Sequence, residues 1–222
     1  MRWALERRIF EASAEPKLAE KRIVLKKRKE ATMAQIEKIV PFILKWECGV
    51  TMKVGENLEE YFARCRKKGW ANDPDDSGGA TMCGVTIGTY RAYCKKKGYP
   101  VPTALRLYNI TWSEWREVLK AMYWDKCLAD RIESQGVANA IVDWYWNSGV
   151  YGIKNVQKVL GVVQDGIIGN KSVAAINSRS PLSLFGAIKT ARIAYVNRIA
   201  KNGNNKKFLT GWLNRINDLK YQ

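Results

Sequence analysis

The 222 residues carry 38 Lys and Arg against 21 Asp and Glu, a net charge of +17, and contain no histidine. That charge predicts attraction to polyanions, among them nucleic acid, anionic membrane surfaces and bacterial cell wall. The lack of histidine excludes Ser–His and Cys–His nucleophilic sites and zinc hydrolases built on His ligands, so a wall-active enzyme here has to work with carboxylates.

At 46% hydrophobic and 27% charged residues, the composition suits a folded chain of one medium domain plus a small one, or one larger domain. A specific nucleic-acid reader is not expected, since the chain has no zinc finger, no aromatic RNA-binding signature and no heptads after a basic helix. Cys48, Cys65, Cys83, Cys94 and Cys127 show no CxxC spacing and read as free thiols of a chain made in the cytoplasm. No apolar run of signal-peptide length follows Arg2, Arg7 and Arg8, and no segment reaches the roughly 18 apolar residues of a membrane span. A target beyond the cytoplasm therefore calls for another route of passage.

Residues 1–32 hold ten Lys and Arg against five Glu, with the cluster Lys26-Lys27-Arg28-Lys29, and read as a basic N-terminal extension. From Ile36 the apolar residues Ile36, Ile39, Val40, Ile43 and Leu44 fall at helical spacing, Glu47 continues the same stripe, and Gly49 supplies a stop. Residues 56–68 pattern as a short amphipathic helix with Leu58, Tyr61, Phe62 and Cys65 on one side. A loop of turn formers follows from Asn72 to Gly79, and Gly84–Gly88 reads as a short extended piece or the start of a helix through Tyr90 and Tyr93. Thr111-Trp112-Ser113-Glu114 is a capping box opening a helix to about Trp124. A further helix is expected over Gln135–Asn147, with Gly149 as its stop. Beyond Gly152, shorter helices around Val156–Leu160 and Ser172–Ile176 lead to a long one opened by Ser180-Pro181 and a last one marked by Phe208, Trp212, Ile216 and Leu219. The fold class is mainly α, divided as an extension (1–32), a first domain (33–151) and a small helical segment (152–222).

Glu47 ends an apolar helix beside Ile43, Leu44 and Trp46, where burial and the negative helix end both favour a protonated carboxyl, as a general acid requires. A Glu that turns out to solvent at a helix end fits the same pattern. Asp73, Asp75 and Asp76 on a Gly-rich loop offer a second carboxylate; a plain Asx turn fits equally, whereas an EF-hand would need Glu where Gly84 stands. Asn139, Asp143 and Asn147 recur every four positions on an otherwise apolar helix, a pattern shared by sugar sites and by structural hydrogen bonding.

These motifs, in this order, resemble glycoside hydrolase family 108, the lysozyme-like muramidases of phages and prophages. The resemblance is carried by Glu47-Cys48-Gly49, Asn72–Thr81, Gly84-Val85-Thr86, Tyr123-Trp124-Asp125 and Asp143–Gly149. Residues 153–178, with Leu160-Gly161 and Asp165–Gly169, and the later Gly211–Arg215 resemble the peptidoglycan-binding module that often follows that domain. The resemblance implies a lysozyme-like α domain followed by a small helical wall-binding segment, with no metal and no cofactor. It implies Glu47 as catalytic acid, Asp76 as second carboxylate, Thr81 as a positioner of water, and Asp73 as organiser of the loop. Asp143, Trp144 and Asn147 become substrate-binding candidates. The partner implied is bacterial peptidoglycan, reached after release through a holin-like pore by a chain acting as a monomer; the alternative is a wall-binding or secretion-helper protein without catalysis. The sequence departs from the family pattern at Cys48, where the motif has Gly, and by about twenty extra residues over roughly 50–70, expected to form a lid or an added binding surface.

Overall fold

Each of the apolar residues spaced along the Glu47 segment is buried, and this stripe is where the fold is anchored. The computed structural model describes residues 33–72, 79–201 and 203–222. A 3₁₀ turn (Ile36–Lys38) runs into α1 (Val40–Cys48), whose first turn accommodates Pro41 because the N–H it lacks would have no helical partner there. The helix stops at Gly49, which takes φ +63° and gives its N–H to the Lys45 carbonyl at 2.9 Å. The left-handed turn thus falls at Gly49, so Cys48 stays helical and packs inward, and its replacement of the family's Gly leaves the stop intact.

The segment read as a lid or an added binding surface contributes its helical half to the core, while residues 51–57 stay largely at the surface. Helix α2 (Leu58–Arg66) buries Tyr61, Phe62 and Cys65, and the Tyr61 hydroxyl donates to the Val50 carbonyl at 2.5 Å. Asn57 opens the helix with a complete capping box. A three-stranded antiparallel sheet follows: β1 (Trp70–Ala71), β2 (Thr81–Met82) and β3 (Val85–Thr86) in that order, with Ala71 opposite Thr81 and Thr81 opposite Thr86. The pairing of β1 with β2 sets Ala71 beside Thr81 and Trp70 beside Met82.

Thr86 caps α3 (Ile87–Lys97), so the Gly84–Gly88 stretch is both the extended piece and the start of the helix. Helix α4 (Ala104–Tyr108) and α5 (Trp112–Leu119) come next, α5 opened by the Thr111 side chain accepting from the Glu114 N–H. The stretch expected to continue this helix to Trp124 widens into a π-helical segment, Lys120–Trp124, which carries Tyr123.

Helix α6 (Gln135–Ser148) is the hub of the fold, buried along most of its length and packed against α7 (Val150–Leu160) and α9 (Pro181–Ile199). Helices α8 (Asn170–Asn177) and α10 (Leu209–Asp218) complete the chain. Residues 34–222 form one compact unit, and a continuous core extends from Ala34 to Leu219, across the division at residue 152. All five cysteines are free and buried. Among the described residues, no helix is long and apolar enough to cross a membrane. The basic extension over 1–32 lies outside the described residues.

The Asn57 side chain accepts from the Glu60 N–H at 2.9 Å, while Glu60 accepts from the Asn57 N–H at 3.3 Å. Asn57→Ala removes the first of these and keeps the backbone N–H that serves the second; it should cost about 1 kcal/mol and lower the thermal midpoint by about 2–4 °C, as read by circular dichroism.

Candidate active site

Glu47 reaches the surface from the last turn of α1, with its side chain 21% exposed. The two carboxylate oxygens are treated differently. Oε1 accepts from the indole N–H of Trp146 at 2.9 Å and from the Arg215 guanidinium at 2.7 Å. No donor among the described residues reaches Oε2, which faces Gly84. The surroundings of Glu47 are therefore polar as well as apolar, which Ile43, Leu44 and Trp46 alone did not suggest. Trp46 itself turns the other way, donating to Asp218 at 2.8 Å.

The wall opposite Glu47 is a tight hairpin turn. Two residues, Cys83 (φ +49°) and Gly84 (φ +80°), connect β2 to β3, and positive φ at both central positions is the turn that matches strand twist. Left-handed backbone at a non-glycine residue costs about 1–2 kcal/mol. Cys83 is held there by its N–H on the Gly69 carbonyl at 2.8 Å and by the Trp115 indole N–H on its own carbonyl at 3.1 Å. Gly84 has a second reason to be glycine: a Cβ would stand 2.6 Å from Cγ, 2.7 Å from Cδ and 2.8 Å from Oε2 of Glu47.

An aromatic run supports Trp146 from beneath. Phe62 and Trp115 lie 5.6 Å apart, Trp115 and Trp146 6.1 Å, and Trp146 and Tyr123 4.5 Å, centroid to centroid. The Tyr123 hydroxyl is 3.4 Å from that of Thr89, and burial pushes its phenol pKa up, keeping it a neutral hydrogen-bonding group. Indole, phenol and threonine hydroxyls beside a carboxylate suit a sugar ligand, which needs flat apolar faces and hydroxyl partners together.

Behind Glu47 lies a buried ion cluster. Arg215 of α10 donates to Asp143 Oδ1 from Nη2 at 2.7 Å and from Nε at 3.1 Å, keeping Nη1 for Glu47. Arg192 of α9 donates to the other oxygen of Asp143 at 2.6 Å. Burial alone would push the Asp143 carboxyl up, but the two guanidiniums outweigh it and hold the group below the usual carboxylate range. For Arg215, burial opposes the charge and the two carboxylates more than restore it.

This cluster corrects two of the substrate-binding candidates. Asp143 and Trp144 have no exposed surface, so neither can touch a ligand: Asp143 is an internal counter-ion, and Trp144 packs in the core against Tyr195. Asp143 is the only carboxylate on this largely buried helix, and a carboxylate must be paired to be buried at all, a rule that picks out its role. Asn147 remains exposed, donates to the Asp143 carbonyl at 2.8 Å, and lines a cavity of about 110 Å³ with Ser148, Tyr195 and Trp212. Thr81 is half-buried on β2, three residues before Gly84, with its hydroxyl on the Gly79 carbonyl at 3.3 Å. Asp73 and Asp76 lie outside the described residues, in the segment bracketed by β1 and β2.

The sequence reading passed over Arg215, Trp146, Gly84 and Tyr123 as site residues. The signal for Arg215 was present: it falls three residues after Trp212 and next to Ile216, on the face that α10 buries.

Comparison with known proteins agrees with this architecture. Residues 62–149 match the family model Glycosyl hydrolase 108, and residues 151–217 match the model Predicted Peptidoglycan domain. The structure of Brucella abortus SagA is 28% identical, with a TM-score of 0.59 over 71% of this chain and 90% of that one. No curated protein matches. Fold, site and matches together define a peptidoglycan-acting, lysozyme-like protein. Within that class, the chain is similar to glycosyl hydrolase family 108 over residues 62–149 and to a peptidoglycan module over residues 151–217. The family match begins at Phe62, inside the segment read as an insertion, so α1 and Glu47 precede it.

Two outcomes are expected. Gly84→Ala forces both a Cβ into the Glu47 carboxyl and an unfavourable φ, and should destabilise the fold by about 2 kcal/mol or more in thermal unfolding. Asp143→Asn leaves Arg215 and Arg192 short of a counter-charge and should cost about 3–5 kcal/mol near neutral pH in denaturant unfolding. Because the folded-state pKa of Asp143 is depressed, its contribution is complete above the ordinary Asp value of about 3.9 and is lost as pH falls through the folded value. The gap between wild type and Asp143→Asn should therefore narrow below about pH 4.

Proposed function

We propose that this protein is an N-acetylmuramidase, hydrolysing the β-1,4 bond between N-acetylmuramic acid and N-acetylglucosamine. The observation that carries the reading is the asymmetry of Glu47: one oxygen takes two N–H donors, and the other faces the hairpin turn without a described protein donor. Glu47 carries its proton on Oε2 and delivers it to the glycosidic oxygen as the C1–O bond breaks. The departing N-acetylglucosamine leaves as a neutral alcohol, and positive charge develops at C1 of the muramic acid ring. Asp76 stabilises that charge, and Thr81 orients the water, whose oxygen bonds to C1 as one of its protons passes to a carboxylate of the site. The residues available fit such chemistry, since a chain without histidine has carboxylates for its acid–base work. In keeping with the resemblance seen in its sequence, we read it as an endolysin-type enzyme that reaches the wall through a holin-like pore and works as a monomer.

Reducing-sugar release from purified peptidoglycan tests the assignment. Glu47→Gln keeps the shape and removes the proton donor, and should lower turnover by about 10²–10⁴-fold. Undiminished turnover would eliminate Glu47 as the acid. Wall binding without sugar release by the wild-type chain would favour a binding or secretion-helper role instead.

A further inference from the structure

The C-terminal module does more at this site than border it. Its last helix, α10, meets the last turn of α1 through two side chains one helical turn apart. Arg215 gives Nη1 to Glu47, and Asp218 accepts from Lys45 at 2.7 Å and from the Trp46 indole at 2.8 Å. Three consecutive residues of α1, Lys45, Trp46 and Glu47, are thus gripped by the opposite charges of α10. The Arg215 guanidinium also lies 5.8 Å from the Phe42 ring centroid, on the same helix as Glu47. Arg215 cannot swing freely, because its other two donor positions are spent on Asp143, which sits on α6 and is held in turn by Arg192 of α9.

We propose that Arg215 is a positioning residue for Glu47, so that the C-terminal module is an integral part of the reaction centre rather than a wall anchor joined to it. The inference rests on the reading of Glu47 as the acid. A side chain at a helix end has several rotamers, and Trp146 alone provides one contact to choose among them. Arg215 provides the second from a fixed origin, and two donors on one oxygen determine where the other oxygen points. Misplacement of a catalytic group by about 1 Å can cost on the order of 10²-fold in rate, which gives such a contact leverage.

The test compares the full-length wild type with Arg215→Gln and Arg215→Lys. Far-UV circular dichroism checks folding, sedimentation with purified peptidoglycan checks wall affinity, and sugar release gives kcat and KM. Hydrogen exchange of the Trp146 indole N–H, followed by NMR and assigned through Trp146→Phe, reports on Glu47 without any need for turnover. Arg215→Gln should lower kcat by roughly 30-fold or more, with KM and sedimentation within about threefold, because the contact orients rather than binds. The indole N–H should exchange at least about tenfold faster. Arg215→Lys should recover part of both, since an ammonium can hold one carboxylate but not the fork of contacts. A merely structural Arg215 would lower stability while leaving kcat per folded molecule and indole exchange at wild-type values, and that result would overturn the proposal. If Arg215→Gln fails to fold, Arg215→Lys decides by the same two readouts, and wild-type values in it are equally fatal. A wild-type chain that releases no sugar would remove the muramidase reading, and indole exchange would still rule on Arg215: faster in the variant supports it, unchanged refutes it.

Discussion

A single guanidinium shared by two carboxylates links the parts of this structure. Arg215 is nearly enclosed, and an enclosed charge is tolerated only when its donors are matched. Asp143 takes two of them and Glu47 the third, while Arg192 balances Asp143 from the far side. The four groups come from α1, α6, α9 and α10. Withdrawing one helix would strand a charge inside the protein, at a cost on the order of 3–5 kcal/mol. The ion cluster therefore ties the sequence before residue 152 to the sequence after it, in addition to the continuous apolar core.

The geometry around Glu47 follows from that tie and from a strained turn on the other side. Cys83 and Gly84 both adopt positive φ, and the backbone of Gly84 stands where any side chain would meet the Glu47 carboxyl. Strain of this kind persists when its surroundings over-determine it, and here Gly69 and Trp115 do so through hydrogen bonds to Cys83. Trp115 also lies in the aromatic run that leads through Trp146 to Tyr123. One oxygen of Glu47 is fixed by donors from α6 and α10, and the other is left at the turn.

Much of this was legible from local pattern. The 3.6-residue spacing from Ile36 to Glu47 located α1 and its inward face, Gly49 and Gly149 marked helix ends, and Thr111–Glu114 marked a helix start. What escaped were features set by partners far away in sequence. The polar line Asn139–Asp143–Asn147 fitted a ligand face as well as structural hydrogen bonding, because the pairing of Asp143 with Arg192 and Arg215, 49 and 72 residues beyond it, is tertiary. The segment around 50–70 reads as a lid or an added binding surface because the Tyr61 bond to Val50 and the packing of Phe62 on Trp115 are tertiary. The π-helical widening that carries Tyr123 likewise has no signature in apolar spacing.

The account stands or falls on which bond in the wall is cut. Mass spectrometry of the fragments released from purified peptidoglycan by the full-length protein decides this directly. Muropeptides ending in reducing N-acetylmuramic acid are the predicted product. Fragments ending in reducing N-acetylglucosamine, cleavage confined to the peptide stems, or no release at all would contradict it.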